Sequence, residues 1–163
     1  MKIHPGVLVL VALAIVASNV PAQVPVVARA DHEQMLASND ARLAANKRLV
    51  YDFWREVFEA AHMELADKYM AEGYIQHNPN VPTGRAAFIA FFSKSITPQA
   101  IEPRVKAPLV AIVAEGDLVV LVFVREVTDP HDATQKYATT WFDMFRLEGG
   151  KIAEHWDPAT RRS

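Results

Sequence analysis

The sequence predicts an α+β fold: a cone-shaped barrel in which N-terminal helices pack on a strongly curved antiparallel sheet. Three observations carry this expectation. Apolar residues recur at three and four through the first half of the chain, β-branched residues crowd the second half, and turns containing Gly or Asp cut that second half into short runs. Helices that precede one bent sheet pack on its concave face and leave a pocket between the layers, a place where ligands commonly bind.

The chain begins with a short basic stretch, Met1-Lys2-Ile3-His4, followed by 11 uninterrupted apolar residues from Val7 to Ala17, polar Ser18-Asn19, and Val20-Pro21-Ala22. This is the pattern of a secretory signal peptide on residues 1–22, cleaved near Ala22, and it implies a periplasmic or secreted protein. Eleven helical residues rise about 16 Å, well short of a hydrocarbon core of roughly 30 Å, so no stable membrane span is expected. Residues 23–39, opening with Val and Pro in no period, read as a linker. Residues 40–158 read as the domain and residues 159–163 as a tail.

From Asp40 the apolar residues Leu43, Val50, Phe53, Trp54, Val57 and Phe58 alternate with Lys47, Arg48, Asp52, Arg55, Glu56 and Glu59, which describes an amphipathic helix. A second helical stretch covers His62 to Met70 and stops at Gly73. Tyr74 to Pro82 is too rich in Pro and Asn to be helical and reads as an ordered loop or short extended piece. Thr83-Gly84-Arg85 opens a third helix with Phe88, Ile89, Phe91, Phe92 and Ile96 on its apolar side. Four strands follow: Val105–Ala114, Leu118–Val127, Lys136–Arg146 and Lys151–Asp157. Their turns are Glu115-Gly116-Asp117, Asp129-Pro130-His131-Asp132 and Glu148-Gly149-Gly150.

Composition narrows the chemistry. With 17 basic and 19 acidic residues the net charge is −2, which supplies no electrostatic case for nucleic acid. The chain has no cysteine, so thiolate catalysis, disulfides and thiolate metal sites are excluded. There is no Gly-rich phosphate loop, no Gly-x-Ser-x-Gly elbow and no dinucleotide fingerprint. The remaining tools are His, carboxylates and hydroxyls.

Period two places Asp143 on one strand face with Tyr137, Thr139, Trp141 and Phe145. A carboxylate among aromatics has its proton affinity raised and can move a proton at a carbon next to a carbonyl; paired to Arg125 or Arg146 it would instead be a surface charge. A three-residue Glu148-Gly149-Gly150 loop puts His155 opposite Asp143, whereas a two-residue Gly149-Gly150 loop puts Trp156 there; the three-residue loop is favoured. The catalytic candidates are therefore Asp143, His155 and His77. His77 and Asn78 lead the Pro- and Asn-rich segment, ahead of Gln76 and Tyr74; Gln76 and His77, as neighbours on an extended segment, cannot both face the pocket. Asn78, Tyr74, Trp141, Phe145, Trp156 and Asp157 are the ligand-binding candidates. Two imidazoles and two carboxylates converging there can in principle bind zinc or iron, but no His-x-His or His-x-x-x-His pair occurs, and no metal or other cofactor is expected.

Four motifs in order, Tyr74-Ile75-Gln76-His77-Asn78-Pro79, Gly84-Arg85-Ala86-Ala87-Phe88, Asp143-Met144-Phe145-Arg146 and Gly150-Lys151-Ile152-Ala153-Glu154-His155-Trp156-Asp157, together resemble the SnoaL-like polyketide cyclase family of the nuclear transport factor 2-like superfamily. The resemblance runs from about Ala41 to Asp157. It implies the cone-shaped fold, a working acid at Asp143, a pocket bordered by the His77 segment, and catalysis without metal. The expected function is a cofactor-free acid-base catalyst, a cyclase, isomerase or lyase performing aldol closure or isomerisation next to a carbonyl in a small apolar molecule. The alternative is a noncatalytic small-molecule-binding module of the same fold. A homodimer through the sheet face is also expected, since Leu118 to Val124 is apolar on both faces.

Overall fold

The computed structural model describes residues 24–161, and the expected signal segment lies outside them. Helix α1 (His32–Leu36) starts where the Asp31 carboxylate accepts the Gln34 N–H, and α2 (Ala41–Phe53) starts where Asp40 accepts from Arg42 and Leu43. These are ordinary N-caps, each satisfying backbone donors that the first turn leaves open. The stretch read as a linker is thus partly structured: His32, Met35 and Leu36 are buried, and the Arg29 N–H bonds the Leu109 carbonyl at 2.8 Å. A five-residue helix is too short to show a period.

Helix α2 continues into a π-helical turn over Trp54–Glu59, which buries Trp54 and Val57. A single tight turn at Met63–Leu65 and the short α3 (Ala66–Tyr69) then deliver the chain directly into β1 (Met70–Gln76). Here the sequence expectation is corrected. A helix was expected through Met70 and a loop or short extended piece from Tyr74, yet one seven-residue strand spans both. Its hydrogen-bonding partner is more than 70 residues away in sequence, and local propensity carries no information about that pairing. Helix α4 (Arg85–Phe92) follows, and then β2 (Leu109–Glu115), β3 (Leu118–Thr128), β4 (Lys136–Glu148) and β5 (Lys151–Trp156).

The five strands form one curved sheet in the order β1-β5-β4-β3-β2. The meander β2 to β5 is antiparallel as expected, but β1 runs parallel to β5, so the sheet is mixed at that edge. The helices cover the concave face. Between the layers lie Val50, Tyr51, Val57, Met70, Leu121 and Ile152, all essentially inaccessible. Phe53 meets Phe145 and Tyr69 edge-on, with centroids 6.0 and 6.2 Å apart. Rings so buried each contribute roughly 2–3 kcal/mol of hydrophobic stabilisation.

The β4–β5 hairpin differs from the favoured reading. Gly149 and Gly150 have φ of 56° and 73°, and Glu148 pairs with Lys151, so the loop has two residues. Both positions of this turn need positive φ, which glycine adopts without steric cost. Leu147 faces Ile152, but Arg146 faces Glu154 and Phe145 faces His155. Ala153 is therefore a surplus residue, a β-bulge. Neither simple register holds: an unbulged two-residue hairpin would send His155 to the convex face, and the bulge restores it to the concave one.

Candidate active site

The concave face and the helices enclose a cavity of 670 Å³. Its walls are aromatic because helices and sheet contribute the same residue type: Phe53, Trp54 and Phe58 from α2 and its π turn, Phe88 and Phe92 from α4, Phe123 from β3 and Trp141 from β4. Its polar groups concentrate at the end formed by β1, β4 and β5. Strand parity brings Asp143 and Phe145 inward from β4, the bulge brings in His155, and Asp157 follows just past β5.

His155 Nε2 lies 3.0 Å from Asp143 Oδ1, and His155 Nδ1 lies 2.8 Å from Gln76 Oε1. The orientation of the Gln76 amide fixes the proton on the ring. Gln76 Oε1 accepts the Asn78 backbone N–H at 3.0 Å, while Gln76 Nε2 donates to the Tyr74 hydroxyl at 2.9 Å. An oxygen facing a backbone donor is an acceptor, so His155 Nδ1 carries a hydrogen and donates it to Gln76. The Nε2–Oδ1 contact then contains one proton, held either by the imidazole or by the carboxylic acid. Burial pushes the Asp143 carboxyl above the usual carboxylate range, the bond from His155 opposes that shift, and the nearby Asp157 carboxylate adds to it. Asp143 Oδ2 is buried and has no hydrogen-bond partner among the described residues. Buried polar atoms are ordinarily paired; the Trp141 indole beside this carboxyl favours its ionised form. Burial likewise raises the Tyr74 pKa, which keeps its phenol neutral.

Asp157 is held differently. Its Oδ2 accepts from Asn78 Nδ2 at 2.7 Å and its Oδ1 from the Ala159 N–H at 2.8 Å. Asp143, His155 and Asp157 each offer a donor atom within 4.8 Å of the others, so the set resembles a three-ligand metal face. The donors are already engaged: both imidazole nitrogens and both Asp157 oxygens have partners. A cation ligated by His155 Nε2 and Asp143 would replace the Nε2–Oδ1 contact and leave the Nδ1–H bond to Gln76 in place.

Two expected site residues fall elsewhere. His77 and Trp156 stack on the convex side, with ring centroids 4.8 Å apart and planes within 4° of parallel. His77 Nε2 faces Glu154 Oε1 at 3.4 Å, and Arg146 Nε holds the other oxygen of Glu154 at 2.6 Å. The pairing of Gln76 with His155 turns Gln76 inward and its neighbour His77 outward. His77 is thus corrected as a catalytic candidate and Trp156 as a ligand contact. Asn78, Tyr74, Trp141, Phe145 and Asp157 all line the cavity. Gln76, ranked behind His77 in the sequence, is the residue that touches His155; the alternation that forbids both from facing inward was the available signal.

Comparison with known proteins agrees with this architecture. The family model for the SnoaL-like domain matches residues 50–155, and the chain belongs to that family. Among solved structures, a candidate polyketide cyclase from Acidithiobacillus ferrooxidans is 20% identical, covering 74% of this chain and 89% of its own, with a TM-score of 0.50. IdmH from Streptomyces antibioticus, also described as a candidate polyketide cyclase, is 23% identical over 69% of this chain and 89% of its own, with a TM-score of 0.45. An epoxide hydrolase of Mycobacterium tuberculosis is 13% identical over 69% of this chain and 80% of its own, with a TM-score of 0.47. No curated protein sequence matches the chain. With the first of these structures the shared feature is the fold.

Proposed function

We propose that the protein is a cofactor-free acid-base catalyst acting at a carbon next to a carbonyl in a small apolar molecule. The observation that carries this reading is Asp143: a buried carboxyl with one oxygen tied to His155 and the other unpartnered at the polar end of an aromatic cavity. In the step, the carbon–hydrogen bond breaks as its proton moves to Asp143 Oδ2, and the electron pair moves onto the carbonyl oxygen as an enolate. His155, 3.0 Å from Asp143 Oδ1, orients the carboxyl and shares one proton with it. The enolate carbon then attacks a second carbonyl, closing a ring as the new alkoxide takes the proton from Asp143, or it takes that proton back at a different carbon, completing an isomerisation. Burial raises the proton affinity of Asp143 toward the range where such a base also works as the returning acid.

Two further features complete the proposal. The basic and apolar N-terminal sequence supports export to the periplasm or beyond. The apolar convex face of the sheet, with Val113 and Phe142 about half exposed, supports a homodimer formed through that face.

The test of the chemistry is deuterium uptake from heavy water next to the carbonyl in a panel of cyclic and β-dicarbonyl ketones, wild type against Asp143→Asn. Uptake accelerated by the wild type should fall by about 10²-fold or more in the variant. The variant remains folded, because an amide N–H at position 143 donates to His155 Nε2 while Nδ1–H still reaches Gln76. Its thermal midpoint at pH 7 should be no lower than that of the wild type, since the raised Asp143 pKa means that ionising the carboxyl opposes folding. Background uptake by the wild type, with ketone binding intact, would instead make the domain a noncatalytic binding module.

A further inference from the structure

The cavity has a second polar feature, remote from Asp143 and opposite to it in charge. Arg125 on β3 pairs across from Thr139 on β4, and Leu121 pairs across from Asp143, so Arg125 lies four residues further along the same concave face. At roughly 3.3 Å per residue this is about 13 Å along the strand. Between the two, Trp141 presents its ring to the Arg125 guanidinium, whose carbon is 4.1 Å from the ring centroid. Both residues line the cavity together with Asp143 and His155.

Three other arginines of the sheet and of α2 with its π turn are neutralised by carboxylates. Arg48 faces Glu33, Arg55 faces Asp52 and Glu56, and Arg146 faces Glu154 and Glu148. Arg125 has no carboxylate in ion-pair range among the described residues; its neighbour Glu126 points to the other face and meets Lys136 at 3.6 Å. A guanidinium stacked on an indole is held in plane by the ring, and its edge N–H donors remain directed outward, in the fork that fits a carboxylate with two parallel hydrogen bonds. The opposite end of the cavity carries Asp143 and Asp157, which repel an anion. The charges therefore orient a ligand that has one anionic end: the anion goes to Arg125 at the mouth, the apolar body lies against the aromatic walls, and the uncharged reacting end reaches Asp143.

We propose that Arg125, stacked on Trp141, is a carboxylate-binding subsite, and that the ligand of this cavity is an apolar molecule bearing a carboxylate at the end remote from its reacting carbonyl. The proposal deepens the acid-base reading and rests on it only in taking the same cavity as the ligand site.

Isothermal titration of the full chain with 4-(2-naphthyl)butanoate and with the corresponding neutral amide, at pH 7.5 and low salt, tests it. The carboxylate should bind wild type about 10-fold tighter than the amide, as a charge-assisted bidentate contact at a partly exposed site implies. Arg125→Gln should bring the ratio close to one while the amide still binds, which also shows that the cavity is intact. Asp143→Asn should keep the preference for the carboxylate. Equal affinity of wild type for the two probes, an undiminished preference in Arg125→Gln, or no binding of either probe would overturn the subsite. Failure of the acid-base reading is a separate result: ketone deuteration stays at background while the carboxylate preference and its dependence on Arg125 persist.

Discussion

Gln76 determines what the Asp143–His155 pair can do, although it touches no cavity proton itself. Its oxygen receives both the Asn78 N–H and the His155 Nδ1–H, and this leaves a single transferable proton between Nε2 and Asp143. Replacing it with leucine strands two buried donors. Gln76→Leu should cost about 1–3 kcal/mol in urea denaturation, the usual penalty for unsatisfied buried groups. It should also lower the deuteration rate by roughly 10-fold, since the ring is no longer held in one tautomer. Gln76→Glu keeps an acceptor at both contacts, so it should recover most of that stability; a loss equal to that of leucine would show that the acceptor is not what stabilises the fold at this position. Asp143 was legible in the sequence because its own strand supplies the aromatic neighbours that raise its proton affinity. Gln76 was not, because its role comes from His155, 79 residues away.

Short elements were the least legible, and α1 shows why they matter. His32 is buried against Tyr51, whose hydroxyl accepts the Val105 N–H at 3.0 Å and donates to His32 Nδ1 at 2.7 Å. A neutral ring with a bare Nδ1 can accept the hydroxyl proton in this arrangement. Burial, helped by the positive charge of Arg104, lowers the His32 pKa from its ordinary value of 6.5. A histidine whose folded pKa is depressed contributes stability that is present above the unfolded pKa and is lost as pH falls through the folded value. Helix α1 should therefore exchange its amide hydrogens faster at pH 5 than at pH 7.5, after correction for intrinsic rates, and His32→Gln should flatten that difference. Unchanged protection of α1 across this range would mean that the ring accepts its proton in place. Neither α1 nor β1 announces itself locally: one is a single turn and a half, and the other acquires its strand character by pairing with β5.

At the scale of the whole molecule, the order of helices followed by a meander was readable because hydrophobic period changes from helical to alternating near Pro103. What periodicity could not give was the parallel edge strand or the face on which each β5 residue lies. The convex face bears on assembly. Val120 pairs with Val113 and Met144, and Val122 with Phe142, so the apolar side chains form one continuous patch across three strands. Val113 is 54% and Phe142 47% exposed, and leaving two such large apolar groups in water favours burial against a second copy. Sedimentation equilibrium at micromolar concentration should give twice the chain mass, and Val122→Lys together with Phe142→Lys should halve it without altering deuteration. A wild-type chain that sediments as a monomer would remove the proposed dimer.

The surplus residue at Ala153 has a consequence for descent as well as for geometry. A single codon holds the histidine on the cavity side, and deleting that codon would turn His155 and Asp157 outward and bring Glu154 and Trp156 in their place. Such a deletion would remove only Ala153 from the β5 motif, keeping Glu154, His155, Trp156 and Asp157 in order, while exchanging the two faces of the strand. Among relatives of this chain, the count of residues between the Gly-Gly turn and the histidine therefore separates proteins that can carry the acid-base pair from those that carry only the same letters.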